Sequence, residues 1–564
     1  MTHPFSTPAA RPAGHILVDQ LLAHGVEHVF CVPGESYLAV LDGLHDAAIK
    51  VTVCRQEGGA AMMADAHGKL TGSPGICMVT RGPGASNALA GIHVAHQDST
   101  PLILFVGQVE RGMRGRDAFQ EMDYRAVFGS QAKWVTEIDQ AERIPELVSR
   151  AFHAATSGRP GPVVIALPED MLIESVRVPD APHYEVIDAA PPAAQIDRMA
   201  QRLSRSRRPV AILGGSRWNG QAVEQFARFA QSHRLPVAVQ FRRQMLFDAG
   251  HPCFVGDVGL GSNPDLLQYI KDSDLALLVG GRMSEIASQG YTLFGIPMPG
   301  RHLVHVHPDS AELNRVYRAD IAINTSPVSF AAAVSELLPG EAPPWAGALE
   351  ALRASHKSWS DPTRVRHPGS LQMGEVMAWL QARLPADAIL CNGAGNYATW
   401  LHRFYPFRRY GTQLAPTSGS MGYGLPAAVA AKRMHPEKTV VCFAGDGCFM
   451  MHGQEFATAV QYELPIIVVL IDNRMFGTIR MHQERHYPGR VSATALRNPD
   501  FAAYARAFGG HGERVEASDQ FGPAFERALG SGKPAILHCL LDADAITPAT
   551  TLETIRRQAL AGKP

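Results

Sequence analysis

The sequence has no apolar run long enough to cross a bilayer. Its longest, such as PIIVVLI at 465–471, fall far short of the ~20 residues a helical span needs. The opening MTHPFSTPAARPAG carries no apolar core of a secretion signal, so neither membrane nor export is expected and the cytoplasm is. An excess of one charge is lacking too: 52 Lys+Arg face 53 Asp+Glu, and no basic face emerges on which nucleic acid would release its counterions. Cysteine is sparse. Cys31, Cys54, Cys77, Cys253, Cys391, Cys442, Cys448 and Cys539 are scattered without a CxxC pair and read as reduced core residues. With 19% charged residues the chain is not a disordered polyelectrolyte, and 564 residues at roughly 100–200 per domain suggest about three domains.

What is abundant is the buried-strand pattern. ICMVT at 76–80, PLILFVG at 101–107, PVVIAL at 162–167, PVAILGG at 209–215, LALLVGG at 275–281, TVVCFAGDG at 439–447 and PIIVVLIDN at 465–473 are short apolar runs, each followed by a helical pattern. Strands covered on both faces look like this, which makes the fold class α/β with parallel sheets. Polar, Pro-rich stretches at 176–195 and 339–365 read as linkers and divide the chain into three blocks. The blocks could be copies of one architecture.

In the third block, TVVCFAGDG, CFMMHGQEFATAVQYEL and PIIVVLIDNRMFG read as strand, helix and strand. Asp446 and Asn473 then fall at the carboxyl ends of two parallel strands, where ligands of open α/β sheets bind. Gly445 and Gly447 let main-chain N–H groups approach an anion. Asp446 and Asn473 offer oxygen only, which suits Mg²⁺ completed by phosphate oxygens and a backbone carbonyl. A lone Gly-Asp-Gly is usually just a turn; the flanking strand, helix and second strand argue for a diphosphate–Mg²⁺ site. The glycines of ILGGSRWNG at 212–220 do not follow the dinucleotide spacing G-x-G-x-x-G.

The run GDGCFMMHGQEFATAVQYELPIIVVLIDN at 445–473 resembles the cofactor motif of thiamine-diphosphate-dependent enzymes. RQEGG through GQV at 55–109, DAFQE at 117–121 and SGSMGYGLPAAVAA at 418–431 resemble the large catalytic subunit of acetolactate (acetohydroxyacid) synthases and their homologues. The resemblance implies three doubly wound parallel-sheet α/β domains: a pyrimidine-binding domain at 1–180, a central domain at 190–340 and a diphosphate-binding domain at 365–550. It also implies a homodimer or homotetramer with active sites at the subunit interface. Some synthases have a small regulatory subunit; the sequence leaves that partner open.

The resemblance assigns roles residue by residue. Glu57 of RQEGG would bond the aminopyrimidine ring so that the cofactor's own amino group acts as base; without the resemblance, a Glu at such a junction is more often an N-terminal helix charge. Met421 would wedge between the cofactor's rings, and the carbonyl of Gly419 would accept from the amino group. Asp446, Asn473 and the main chain of Met475 would hold Mg²⁺, with Gly447 and Cys448 donating to the diphosphate. Asn396 and Tyr397 fall where the synthases place Gln and His near the diphosphate. Asn87 of GPGASN is either a cofactor contact or a turn residue. Around the substrate, a 2-oxoacid, Gly34, Phe119, Gln120 and Lys133 match pocket positions, although a lone Lys is usually a solvated charge.

Two positions depart from the synthases. The arginine and the tryptophan that select the second 2-oxoacid are replaced here by Ile286 in GGRMSEIAS and His482 in GTIRMHQERHY, so the acceptor pocket differs. Clear flavin-contacting residues are missing from the middle block, which leaves FAD possible. The expected reaction is decarboxylation of a 2-oxoacid such as pyruvate and transfer of the resulting enamine to a second carbonyl. Simple decarboxylases of the family commonly present an adjacent His–His pair, whereas His93 and His96 lie three apart, which favours carboligation. The alternatives are a non-ligating 2-oxoacid decarboxylase, a 2-hydroxyacyl lyase and a non-catalytic homologue, the last disfavoured by an intact Glu57.

Overall fold

A computed structural model describes residues 9–338 and 343–562. Residues 1–8 of the opening stretch, and 339–342 of the second Pro-rich stretch, lie outside the described residues. Three six-stranded, wholly parallel sheets carry the fold. The apolar runs became their central strands because both faces are covered. Leu102–Gln108 and Pro162–Pro168 are buried at every position, as are Val440–Gly445 and Ile467–Asp472. The less apolar neighbours, such as Lys50–Val53 and Trp134–Glu137, take the sheet edges.

The first unit, residues 1–187, orders its strands as Lys50–Val53, His28–Cys31, Gly75–Val79, Leu102–Gln108, Pro162–Pro168 and Trp134–Glu137. Counted from its first sheet strand, this is the order 2-1-3-4-6-5. The second unit, 188–564, holds two sheets. Its carboxyl-terminal sheet runs Gln413–Leu414, Ile389–Asn392, Val440–Gly445, Ile467–Asp472, Ala535–Leu540 and His511–Val515, again 2-1-3-4-6-5. The middle sheet runs Phe254–Val258, Val237–Gln240, Pro209–Leu213, Leu275–Val279, His302–His307 and Ile321–Asn324, the order 3-2-1-4-5-6. The three blocks are therefore not copies of one topology: the outer two share an order and the middle one differs. The connections reverse twice in the outer order and once in the middle one; the first reversal, between strands 1 and 3 of the outer sheets and strands 1 and 4 of the middle sheet, leaves a crevice at the carboxyl ends of the diverging strands.

The stretch 339–365 is not simply a linker. Ala346–Trp359 forms a helix whose Leu349 and Leu352, with Trp345, enter the middle core. Arg353 ties it down by donating to the carbonyls of Phe254 and Ala249. The flanking Pro and Ser residues masked an apolar stripe spaced as on a helix. A second helix, Leu552–Ala561, lies beyond the boundary expected at 550 and packs against helix Gly477–His486. All eight cysteines are buried and none is in a disulfide, and among the described residues no helix is long and apolar enough to cross a membrane.

Buried histidines give the fold an acid limit. Burial pushes His24 and His307 down to about 4, with His183 and His305, respectively, adding like-charge pressure. Each ring uses Nδ1 as an acceptor, His24 from the Tyr184 N–H and His307 from the Asp309 N–H. Because their folded values lie below the unfolded value near 6.5, their contribution is full above pH 6.5 and lost as pH falls toward 4. Denaturation midpoints should drop between pH 7 and 4.5, and His24→Asn, which cannot take up that proton, should shrink the drop. An equal drop in the variant would remove His24 from this account.

Candidate active site

In the carboxyl-terminal sheet the direction change lies between Ile389–Asn392 and Val440–Gly445. A cavity of about 390 Å³ opens there. Ala394–Tyr397 follow the first strand, Gly445–Cys448 end and follow the second, and Asn473 and Met475–Ile479 follow the neighbouring strand, and all line it. Gly419 and Met421 add a further wall; Phe241, Arg242, Leu260 and Ile286 reach in from the middle sheet, and Leu541, Ala545 and Ile546 complete it. The structure thus gathers every expected diphosphate-side residue: Asn396, Tyr397, Gly419, Met421, Gly445, Asp446, Gly447, Cys448, Asn473 and Met475.

The electrostatics centre on Asp446, buried at 3% exposure. Its carboxyl is raised to about 6, chiefly because burial penalises its charge and secondarily because Asp472 lies beside it. Asn498 stitches the two acids together, donating 2.7 Å to Asp446 Oδ2 and 2.8 Å to Asp472 Oδ1. Burial also acts on Asp472, but His538 at 2.9 Å and Asn498 outweigh it and hold Asp472 below the ordinary range. A buried carboxyl whose charge is this poorly accommodated suits a cation. Among the described residues no group of three or more His, Cys, Asp and Glu is placed to hold a metal alone. One carboxylate, one amide and one main-chain carbonyl form a set that phosphate oxygens would complete.

The loop bearing the other oxygen donors is clamped. Leu496 N donates to Arg474 O and Phe476 N to Thr494 O, and these bonds leave the Met475 carbonyl out of the clamp. No side chain fits at Gly447, where a Cβ would stand 2.7 Å from the Phe476 ring. Tyr397 behaves differently from the expectation. Its ring lies against Gly395 and Gly445, and its hydroxyl accepts from Gly393 N at 3.1 Å and donates to Cys448 Sγ at 3.1 Å. That hydroxyl is committed to the loop, so Tyr397 offers the cavity a ring wall in place of a hydrogen bond. Asn396 accepts from Thr478 Oγ1 at 2.9 Å.

The helix after this loop is latched from behind. Glu484 is fully buried, and Arg556 of the terminal helix grips both its oxygens, at 2.6 and 2.8 Å. With the Gly489 N–H, this holds its carboxyl down at about 2. Because Arg556 itself is half-exposed, Arg556→Ala should cost roughly 1.5–3 kcal/mol, the range of charged hydrogen bonds. Hydrogen exchange over 477–486 should rise; unchanged protection there would show that the latch is dispensable.

In the first unit, Glu57 opens helix Glu57–Thr71, with Gln56 capping Gly59 N. Glu57 Oε2 accepts from Asn87 Nδ2 at 2.9 Å, which makes Asn87 a partner of Glu57. Gly34 lies past strand His28–Cys31 and Gly82 past Gly75–Val79, the two strands between which this sheet's direction changes. A Cβ on Gly82 would stand 2.8 Å from Gln120 O, and Gln120 itself has φ 65°, so Gln120 is held over this edge. Phe119 beside it is 74% exposed. Lys133 is not brought here. It precedes the edge strand Trp134–Glu137, at the amino ends of the parallel strands, and its ammonium donates to Ser157 O at 2.5 Å. Its match to a pocket position is corrected by the strand direction.

In the middle sheet the corresponding crevice lies between Pro209–Leu213 and Leu275–Val279. Gln240 Oε1 lies against the Gly214 and Gly281 backbone there, and Trp218 Nε1 donates to Gly214 O. Side chains occupy these glycine turns, leaving them no open cradle for FAD's phosphates. Sequence reasoning missed Asn498, Asp472 and His538. Asn498 begins NPDF, which reads as a helix-starting turn, and Asp472 reads as the end of a strand.

The comparisons with known proteins agree with this geometry. Residues 11–127 match the thiamine pyrophosphate enzyme N-terminal TPP binding domain, 196–334 its central domain and 393–539 its C-terminal TPP binding domain. Over 536 residues the chain is 32% identical to the acetolactate synthase isozyme 2 large subunit of Escherichia coli K12, covering 93% of this chain and 95% of that one. It is 31% identical over 543 residues to a probable acetolactate synthase large subunit of Methanocaldococcus jannaschii, covering 93% and 91%. A third relative, the acetolactate synthase large subunit of Corynebacterium glutamicum, is 30% identical over 560 residues, covering 96% and 88%. With thiamine-pyrophosphate-binding domains at both ends and such likeness along nearly its whole length, the chain belongs to the thiamine-diphosphate-dependent enzymes of the acetolactate synthase family.

Proposed function

We propose that the protein is a thiamine-diphosphate- and Mg²⁺-dependent carboligase that decarboxylates a 2-oxoacid such as pyruvate and joins the remaining fragment to a second carbonyl. The observation that carries the proposal is the buried, cation-seeking Asp446 in a cavity shared with Asn473, Met475, Gly419 and Met421. Bound thiamine diphosphate would supply the carbanion that adds to the oxoacid and the electron sink that takes up the bonding pair left behind as CO₂ departs. The chain's own residues do the rest. Asp446, Asn473 and the Met475 carbonyl hold the cation, and main-chain groups of Gly445, Gly447 and Cys448 meet the diphosphate. Gly419 offers its carbonyl, Met421 would wedge its bulk between the cofactor's rings, and Glu57, steadied by Asn87, carries the proton at its carboxylate. Gly34, Phe119 and Gln120 face the substrate. Pairing of two copies, as a homodimer or within a tetramer, completes each site.

Support for carboligation comes from relatives named as acetolactate synthases. Ile286 in the cavity wall favours a second reading on the acceptor side, in which the fragment is released by a 2-oxoacid decarboxylase or 2-hydroxyacyl lyase. Purified protein with pyruvate, thiamine diphosphate and Mg²⁺ tests the two, followed by a panel of 2-oxoacids with product identification. An acyloin-type product supports ligation, and CO₂ without one moves the assignment to decarboxylase.

A further inference from the structure

The resemblance looks for a carboxylate-gripping arginine where this chain has Ile286. A guanidinium nevertheless enters the same cavity wall from a different strand end. Arg242 follows Val237–Gln240 of the middle sheet and lines the cavity with Ile286, Met421 and Cys448. Its backbone has φ 58°, a conformation L residues hold only where the surroundings impose it. The residue is 4% exposed, and its guanidinium carbon lies 4.7 Å from the Phe241 ring centroid.

The guanidinium is anchored through Nη1, which donates to Pro416 O. That carbonyl also accepts from Gly419 N at 3.1 Å, so Arg242 steadies the turn that presents Gly419 and Met421. The charge also reaches across the cavity. It opposes protonation of His402 and eases ionisation at Tyr397 and Cys448, against the larger effect of burial on all three. A planar, permanently charged fork matches carboxylate and phosphate oxygens better than any other side chain, and in a wall sheltered from water its attraction for an oxyanion is little screened.

We infer that Arg242 is the oxyanion-binding residue of this cavity, receiving a carboxylate or phosphate oxygen of the molecule bound there and serving the charge that Ile286 cannot. The inference rests on the proposed function for its two candidate oxyanions, the carboxylate of a 2-oxoacid and the diphosphate of the cofactor.

Full-length Arg242→Gln and Arg242→Lys test it by binding, without turnover. Trp400 lies in the cavity wall, so intrinsic fluorescence reports occupancy. Thiamine diphosphate with Mg²⁺ is titrated first, then oxamate, an unreactive 2-oxoacid mimic, on cofactor-saturated protein; thiamine serves as the phosphate-free control. Arg242→Gln should weaken at least one anionic ligand tenfold or more and leave thiamine unchanged. Loss confined to thiamine diphosphate names the diphosphate as the source, and loss confined to oxamate names the carboxylate. Unchanged affinity for both, or an equal loss for thiamine, overturns the inference, the latter because the side chain then acts only through the Pro416 turn. Should Arg242→Gln not fold, Arg242→Lys keeps the charge without the fork. It should lose three- to tenfold for the same anion, and no loss would overturn the inference. Wild-type protein that binds both ligands but forms no ligation product would sink the proposed function and leave this test intact.

Discussion

Glu57→Gln is expected to leave thiamine diphosphate binding within a few-fold of wild type while lowering kcat by roughly 10²–10⁴, the range for loss of a positioned acid–base group. The substitution is nearly isosteric. A glutamine oxygen at this place can still accept from Asn87 Nδ2, as Glu57 Oε2 does at 2.9 Å, so the start of helix Glu57–Thr71 and the Gln56 cap on Gly59 N should survive. What disappears is the negative charge and with it the site for a proton shared with the cofactor ring. Steady-state CO₂ release beside equilibrium cofactor binding measures the two separately. Unchanged kcat would refute the proton role; a parallel loss of binding would instead make Glu57 an anchor. Asn87→Ala should lower kcat less, because it loosens the carboxylate without removing it.

Much of the fold was legible because burial on both faces forces a strand to be apolar throughout. All seven apolar runs read from the sequence coincide with a parallel strand to within a few residues, from Gly75–Val79 to Ile467–Asp472. Strands that were not legible include Lys50–Val53 and Ile321–Asn324 at sheet edges, where one side needs no neighbour and polar residues are tolerated. The helix Ala346–Trp359 was hidden by the prolines before it, because breakers are a stronger local signal than three apolar residues at helical spacing. At the site, Asp446, Asn473 and Gly447 were legible because a motif fixes them within one βαβ unit. Asn498, Arg242 and Ile546 were not. They reach the cavity, or the acids beside it, from loops far along the chain, and only the strand order decides that those loops meet. Lys133 shows the converse: its residue type fitted a pocket, but in a parallel sheet a residue before a strand stands at the edge opposite to one that follows a strand.

The carboxyl-terminal sheet makes one further expectation sharp, because the same aspartate should harm the empty protein and help the loaded one. Asp446 is buried against Asp472, and their shared partner Asn498 supplies a single amide for both. Without a cation, two adjacent acids held out of water repel. Asp446→Asn removes that repulsion while Asp472 keeps His538, Asn498 and the Arg474 N–H, so the ligand-free melting temperature should rise, by about 1–3 °C for a chain of this size. With thiamine diphosphate and Mg²⁺ the order should reverse. Removing one partner of a buried charge pair costs roughly 3–5 kcal/mol, which corresponds to about 10²–10⁴-fold in affinity. The ligand-induced rise in melting temperature should then vanish at concentrations that saturate wild type, and chelating Mg²⁺ from wild type should reproduce the loss. Thermal scans of both proteins, with and without ligand, read all four states. A full ligand-induced shift in Asp446→Asn would remove Asp446 from the cation site. A lowered ligand-free temperature would mean that the hydrogen bond from Asn498 outweighs the repulsion, and that the acid pair is held together for structure.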